Sequence, residues 1–209
     1  MKLLRRIIPV LLVLSLCLAQ TALATGALNL TAEERHAMNL FLSNFTEVGS
    51  DVAYYGPDEA LVDFAHDHMW FNSYDSYEYG DYFNGNNCRV SNKKIQDIIN
   101  RYFACAPQVD LSQTRFDYDG KYYYHQETGG WTNDGFAITL DAYDGGCNTY
   151  YVSFLTFGAG NYWTNDVMWL SLAEAERQYG TTYRGGHAWI TATNLADRST
   201  YRMISFSCS

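Results

Sequence analysis

The sequence predicts an α+β fold: three N-terminal helices packed on a curved, mainly antiparallel sheet, with one short helix inserted among the strands. Three observations predict it. Apolar residues recur at helical spacing between Thr31 and Phe103. After Pro107 the pattern changes to alternation, with Asp-Gly and Gly-Gly turn signals between the runs. Helices and strands are therefore segregated along the chain, which points away from a wound parallel sheet.

The first helix opens at Thr31, followed three residues later by Glu34, a capping box. Met38, Phe41, Leu42 and Phe45 form its apolar stripe, and Gly49 is its expected stop. The second helix opens with Gly56-Pro57-Asp58-Glu59, because proline suits a first helical position and acids suit a helix N-terminus. Leu61, Phe64, Ala65, His68 and Met69 line one face. Between it and the third helix, Tyr74 to Asn87 reads as a loop or short hairpin turning at Asn84-Gly85. The third helix starts at Ser91, with Ile95, Ile98, Ile99, Tyr102 and Phe103 on one stripe. Ile98 and Ile99 are expected to lie on the strand half, against Phe136, Ile138 and Leu140 or Tyr150, Val152 and Phe154.

The strand half starts with a hairpin at Asp119-Gly120, since Asp-Gly tolerates the positive φ of a primed turn. Phe136 to Tyr143 and Tyr150 to Phe157 alternate, joined by Asp144-Gly145-Gly146. Val167 to Leu170 reads as a further strand. Ser171 to Glu174 repeats the capping box, so Leu172 to Tyr179 reads as the inserted helix, ended by Gly180. His187 to Thr193 and Thr200 to Phe206 close the chain as two strands.

Residues 1–24 read as a secretory signal peptide. Lys2, Arg5 and Arg6 form the basic region, Ile7 to Leu18 the apolar one, and Ala22-Leu23-Ala24 the cleavage pattern. The expected mature chain, residues 25–209, is one globular domain with no repeat or linker. Without Lys2, Arg5 and Arg6 it keeps 11 basic residues of 14 against 23 acidic ones, a net of −12. Such a balance repels phosphate backbones and anionic lipid, so neither nucleic acid nor a membrane is an expected partner after cleavage.

Four cysteines remain in that span: Cys88, Cys105, Cys147 and Cys208. An even count in an exported chain predicts two disulfides. The third helix would hold Cys88 and Cys105 about 20 Å apart at 1.5 Å per residue, beyond the roughly 4.4–6.8 Å that a disulfide spans between Cα atoms. Two pairings stay open: 88–147 with 105–208, or 88–208 with 105–147.

The stretch Leu30-Thr31-Ala32-Glu33-Glu34, then Met38-Asn39-Leu40-Phe41-Leu42-Ser43-Asn44-Phe45-Thr46-Glu47-Val48, resembles the first helix of a group of uncharacterised exported or membrane-tethered proteins from Gram-positive gut bacteria. The likeness continues through Leu61 to Ala65, Asn72-Ser73-Tyr74, the Val90 to Phe103 helix and Asp119 to Tyr122. It implies location and one-domain organisation, and no activity.

Three kinds of chemistry are legible in the sequence. Trp131, Tyr162 and Trp163 sit among Asn, Asp and Thr in polar loops, where rings can stack on a ligand while amides hydrogen-bond it, or else fold inward and cap the sheet. This makes a non-enzymatic interaction or ligand-binding module the expected function, its partner an extracellular protein or a carbohydrate, with no cofactor. The alternative is a Cys/His acyl-transfer or hydrolytic enzyme. His187-Ala188-Trp189 with the later Asp197 resembles the transglutaminase-like pattern, which implies Cys88 as nucleophile, His187 as base and Asp197 as orienting acid. Asp63, His66 and Asp67 are helix neighbours, but no third cluster completes a metal site, so a solvated helix face is expected there.

Overall fold

The computed structural model describes residues 26–49, 51–104, 108–126, 135–158, 165–180 and 183–208. The proposed signal peptide, Cys105, Trp131, Tyr162 and Trp163 lie outside the described residues. Four α-helices and two antiparallel sheets make an α+β fold among them. Helix α1 spans Ala32–Thr46, α2 Asp58–Asn72, α3 Asn92–Tyr102 and α4 Leu172–Tyr179. No helix here is long and apolar enough to cross a membrane.

The expectation of a helical block followed by one sheet is corrected. Strands β1 (Val52–Ala53), β2 (Glu78–Tyr79) and β3 (Cys88–Ser91) interrupt the helices. They pair with strands from the other half of the chain. The small sheet has the order β2-β3-β5-β4, with β4 at Asp117–Tyr118 and β5 at Tyr122–His125. The large sheet has the order β1-β9-β8-β7-β6. Its members are β6 (Phe136–Gly146), β7 (Thr149–Phe157), β8 (Tyr183–Thr191) and β9 (Arg202–Cys208). Segregation failed as a guide because β1 to β3 are only two to four residues long, too short for alternation to register.

The caps read from the sequence are formed. Thr31 Oγ1 accepts the Glu34 amide and Glu34 Oε2 accepts the Thr31 amide. Ser171 and Glu174 do the same for α4. Pro57 is the residue preceding α2, one position earlier than expected. Two strand readings change. Residues Asn165–Trp169 form a 3-10 turn in place of a strand. Strand β6 runs on through Gly146, and the β6–β7 turn is Cys147-Asn148, both at positive φ (53° and 58°). A primed two-residue turn needs positive φ at both positions and matches the twist of the strands it joins.

The larger core cluster draws on α1, α2, α3 and the inner face of the large sheet. Phe45 stacks on Phe64 with ring centroids 4.5 Å apart and meets Phe103 edge-on and Phe206 in a stack. Ile95 and Ile99 are fully buried. Helix α3 rests mainly on α2, with β3 and β9 beside it. The expected seat on β6 and β7 is therefore corrected, and Ile98 is only half-buried. Its direction follows from helix geometry: 95 and 99 share a line four residues apart, while 98 lies at the stripe's margin.

Strand β6 is a long edge, and an uncovered edge invites pairing with another chain. Helix α1 covers it with a polar stripe. Arg35 Nη1 donates to the Thr139 carbonyl (2.8 Å), and Asn39 Oδ1 accepts the Thr139 amide (2.7 Å). Ser43 Oγ accepts the Ala137 amide (2.9 Å), and Thr46 Oγ1 donates to the Gly135 carbonyl (2.8 Å). Asn39, Ser43 and Thr46 are buried polar residues with a structural purpose. Much of the distinctive wording of the first helix is thus the chemistry of sealing one strand.

Candidate functional site

Strands alternate their side chains between two faces. In the large sheet Val152, Phe154, Ala188 and Ile190 point into the core and are buried. The residues between them form an outer face that stays half-buried or exposed. Register aligns that face into two cross-strand rows. Tyr143 faces Tyr151, Tyr151 faces Trp189, and Trp189 faces Ser205. Beside it Asp141 faces Ser153, Ser153 faces His187, and His187 faces Ser207.

The first row is aromatic. Ring centroids lie 6.3 Å apart for Tyr143 and Tyr151 and 5.4 Å for Tyr151 and Trp189, and His187 adds a ring 6.0 Å from Tyr151. Glycines allow close packing on both faces of the sheet. A Cβ on Gly145 would stand 2.9 Å from the Trp189 indole, so the ring lies over bare backbone. A Cβ on Gly186 would stand 2.3 Å from Phe154 on the other side of the sheet. The second row carries hydroxyl, carboxylate and imidazole groups. It ends at Asp51, whose carboxylate accepts the Ser207 hydroxyl (3.1 Å) and the Cys208 amide (2.9 Å).

At that end the face runs into a cleft of about 370 Å³, lined among others by His187, Ser205, Ser207, Asp51 and the exposed Tyr55. A second cleft, about 260 Å³, shares Asp51, Pro57 and Ala60 with it and is bordered by Glu59, Asp63, Asp67 and Arg115. Here Arg115 Nη2 lies 2.6 Å from both Asp67 oxygens, and Thr114 Oγ1 donates to Asp63 (2.9 Å). Burial raises the Asp67 carboxyl above its usual range, opposed by the Arg115 charge. These acids are already committed to holding the segment before β4.

The solvated helix face expected at Asp63, His66 and Asp67 is corrected at His66. His66 is buried and stacks on Phe116 at 3.6 Å, with the Tyr77 hydroxyl 3.3 Å from its Nδ1. Burial, with His125 and Arg115 nearby, depresses its basicity well below the ordinary value. No group of three or more His, Cys, Asp or Glu among the described residues is placed to hold a metal ion.

Cys88, His187 and Asp197 are not brought into one constellation. Cys88 is buried on the small sheet, its Sγ 3.3 Å from the His125 carbonyl. His187 faces outward on the large sheet. Asp197 caps the turn before β9 by accepting the Ser199 amide (2.9 Å). Trp189, next but one to His187, is half-buried on the same outer face.

Among the described cysteines no disulfide is formed. Each expected pairing needed Cys88 joined to Cys147 or to Cys208, and neither bond is present. The fold gives the reason. Cys147 is exposed at the tip of the β6–β7 turn, and Cys208 lies on β9 with its Sγ 3.4 Å from Thr156 Oγ1. Cys88 belongs to the other sheet.

The aromatic row was missed in the sequence at Tyr143 and Tyr151, yet a signal was there. Tyr151 and Ser153 alternate with Val152 and Phe154, so a large ring occupies the polar phase of a strand. A ring in that phase is on the open face by construction. No protein-family model matches the chain, and the searches of curated proteins and of solved structures also returned no match.

Proposed function

We propose that the protein is an exported, non-enzymatic ligand-binding module whose binding face is the outer side of the large sheet, and that its ligand is a carbohydrate chain. The observation that carries this reading is the cross-strand row Tyr143, Tyr151, Trp189 lying beside the row Asp141, Ser153, His187, Ser207. A saccharide offers alternating needs that these rows meet together. Its C–H faces stack on aromatic rings, and its hydroxyls donate to and accept from side chains beside them. The rings are held by sheet register, so little order has to be gained on binding. Ser207 is occupied by Asp51, and no hydrogen bond joins His187 to either flanking serine among the described residues, so the row lacks an activated nucleophile.

The test is a glycan microarray followed by titration with the best oligosaccharide. Binding with quenching of tryptophan fluorescence is expected. Trp189→Ala should weaken it at least about tenfold, equivalent to roughly 1.4 kcal/mol. Absence of any glycan ligand, or a ligand whose affinity survives both Trp189→Ala and Tyr151→Ala, would sink the reading. Export is tested separately: protein recovered from outside the cell should begin at Thr25.

A further inference from the structure

Elsewhere on the molecule, three guanidinium groups gather around one turn. Arg101 donates through Nη1 to the Tyr201 carbonyl (3.4 Å) and through Nη2 to the Arg198 carbonyl (3.1 Å). Arg202 donates through Nη1 to the same Tyr201 carbonyl (2.6 Å) and to that of Ser199 (2.9 Å). The shared acceptor brings the two Nη1 atoms within about 6 Å of each other. Arg198 sits on the turn itself, exposed, and its charge and that of Arg202 both act on Arg101.

None of the three forms an ion pair among the described residues, whereas Arg89 and Arg115 each pair with a carboxylate. The chain has 23 acidic residues against 14 basic ones, so carboxylates were plentiful. The Asp197 carboxylate accepts the Ser199 amide and its charge acts on Arg101. Three cations thus face one carboxylate, and the excess positive charge is repulsive in a way that a bound anion relieves. The backbone carbonyls use only Nη groups, which leaves Nε of Arg101 and Nε and Nη2 of Arg202 available to it.

A flat ring stands on the same helix. The Arg198–Thr200 turn and the Asn165–Trp169 turn both pack on α1. Between them His36 carries Trp169 stacked on it, centroids 3.7 Å apart and planes within 9°. Trp169 is 54% exposed, so one indole face is covered by His36 and the other is open. Arg198 is near enough to His36 for its charge to act on the imidazole.

We propose that Arg198, Arg202 and Arg101, with the open face of Trp169, form a second site that binds an acidic saccharide: the guanidiniums take the carboxylate and the indole takes the sugar ring. The indole decides between a sugar acid and an acidic peptide, because a carboxylate-rich peptide has no flat C–H face to stack. The site lies at the start of β9, where Arg202 faces Thr191, and shares no residue with the rows of Tyr151 and His187.

The test is retention of the full chain by polygalacturonate, measured by affinity electrophoresis at low and at moderate salt, with polyglutamate and a neutral galactan as parallel probes. Retention by polygalacturonate that weakens with salt is expected, with little on the galactan. Arg198→Glu should reduce it at least about tenfold, and Arg198→Lys should restore part of it. Trp169→Ala should weaken polygalacturonate binding and leave the Trp189-dependent ligand untouched. The Arg198 side chain makes no hydrogen bond or ion pair among the described residues, so both variants at 198 are expected to melt as the parent does. No retention at low salt, retention indifferent to Arg198→Glu, or polyglutamate binding as tightly as polygalacturonate would each overturn the proposal. Because the variants differ from those at Tyr151 and Trp189, failure here leaves the sheet-face reading standing, and the reverse holds.

Discussion

The two faces of the large sheet share the same strands and the same backbone hydrogen bonds, yet they do opposite things. On β7, Val152 and Phe154 are buried among helices, while Tyr151 and Ser153, one residue away, stay on the open side. On β8, Ala188 and Ile190 alternate with His187 and Trp189 in the same way. The inner face is filled by shape and holds the fold. At one end the outer face is covered too, where Phe136, Ile138 and Phe157 pack with Val167, Met168 and Ala175, whereas at Tyr143, Tyr151, His187 and Trp189 its side chains stay half-buried or exposed. Core packing and the proposed binding rows are thus separated by a single residue of register, as period-two alternation requires.

The separation can be broken most strongly at Phe154. It is fully buried against Phe206, ring centroids 5.3 Å apart. Phe154→Ala should cost about 3–5 kcal/mol in denaturant unfolding. Tyr151→Ala, on the opposite face, should cost about 1 kcal/mol or less and show itself in ligand binding. Equal losses would mean that the outer row is core.

A second pair sharpens the same contrast on α3. Ile99→Ala should cost about 2–5 kcal/mol, and Ile98→Ala roughly 1 kcal/mol, because only the first loses a full shell of contacts. The reverse order in thermal melts would restore the sequence expectation that Ile98 lies in the core.

Next comes the sealed edge. Asn39→Ala removes the partners of the Thr139 amide and the Met168 carbonyl, both buried. An orphaned buried group costs about 1–3 kcal/mol, so about 2–4 kcal/mol is expected. Hydrogen exchange at Thr139 should quicken. A neutral variant would show that water replaces α1 along β6.

The smallest effect is pH-dependent and belongs to the buried side alone. Burial pushes the Glu47 carboxyl up from 4.5 to about 7, opposed by the Asn72 hydrogen bond. Between those values the folded chain holds a proton that the unfolded chain has lost, so stability falls as pH rises from about 4.5 to 7. His68 is pushed down to about 4 by burial, and burial also holds His66 well below its ordinary 6.5. Their sign is opposite: stability is lost as pH drops through 6.5 toward 4. Glu47→Gln isolates the first contribution. Relative to the parent it should gain roughly 2–3 kcal/mol between pH 4.5 and 8. A constant difference across that range would show that the carboxyl titrates normally.

How much of this could be read in the sequence differs from element to element. Thr31/Glu34 and Ser171/Glu174 placed two helix starts, because a cap is a contact between residues three apart. Asp119-Gly120 placed a hairpin for the same local reason. The stripe of α3 was read correctly, but not which surface it meets. Strands of two to four residues carried no pattern. The signal that Tyr143 and Tyr151 face outward was present as aromatic residues in the polar phase, and it could be weighed only once the pairing of strands was known.

Taken by itself, the sequence determined the local features: helix caps, turn residues, the periods of 3.6 and 2, and the acidic balance. Each depends on neighbours a few residues apart or on a sum over the chain. Only the tertiary structure decided that Asn39, Ser43 and Thr46 seal β6, that Trp189 lies beside Tyr151, that Cys88 belongs to a different sheet from Cys208, and that Arg101 meets Arg202 on one carbonyl. The contacts among these join residues from about 40 to 100 positions apart. No local propensity encodes such a distance; it is set by which apolar faces bury together and by the register in which the strands then pair.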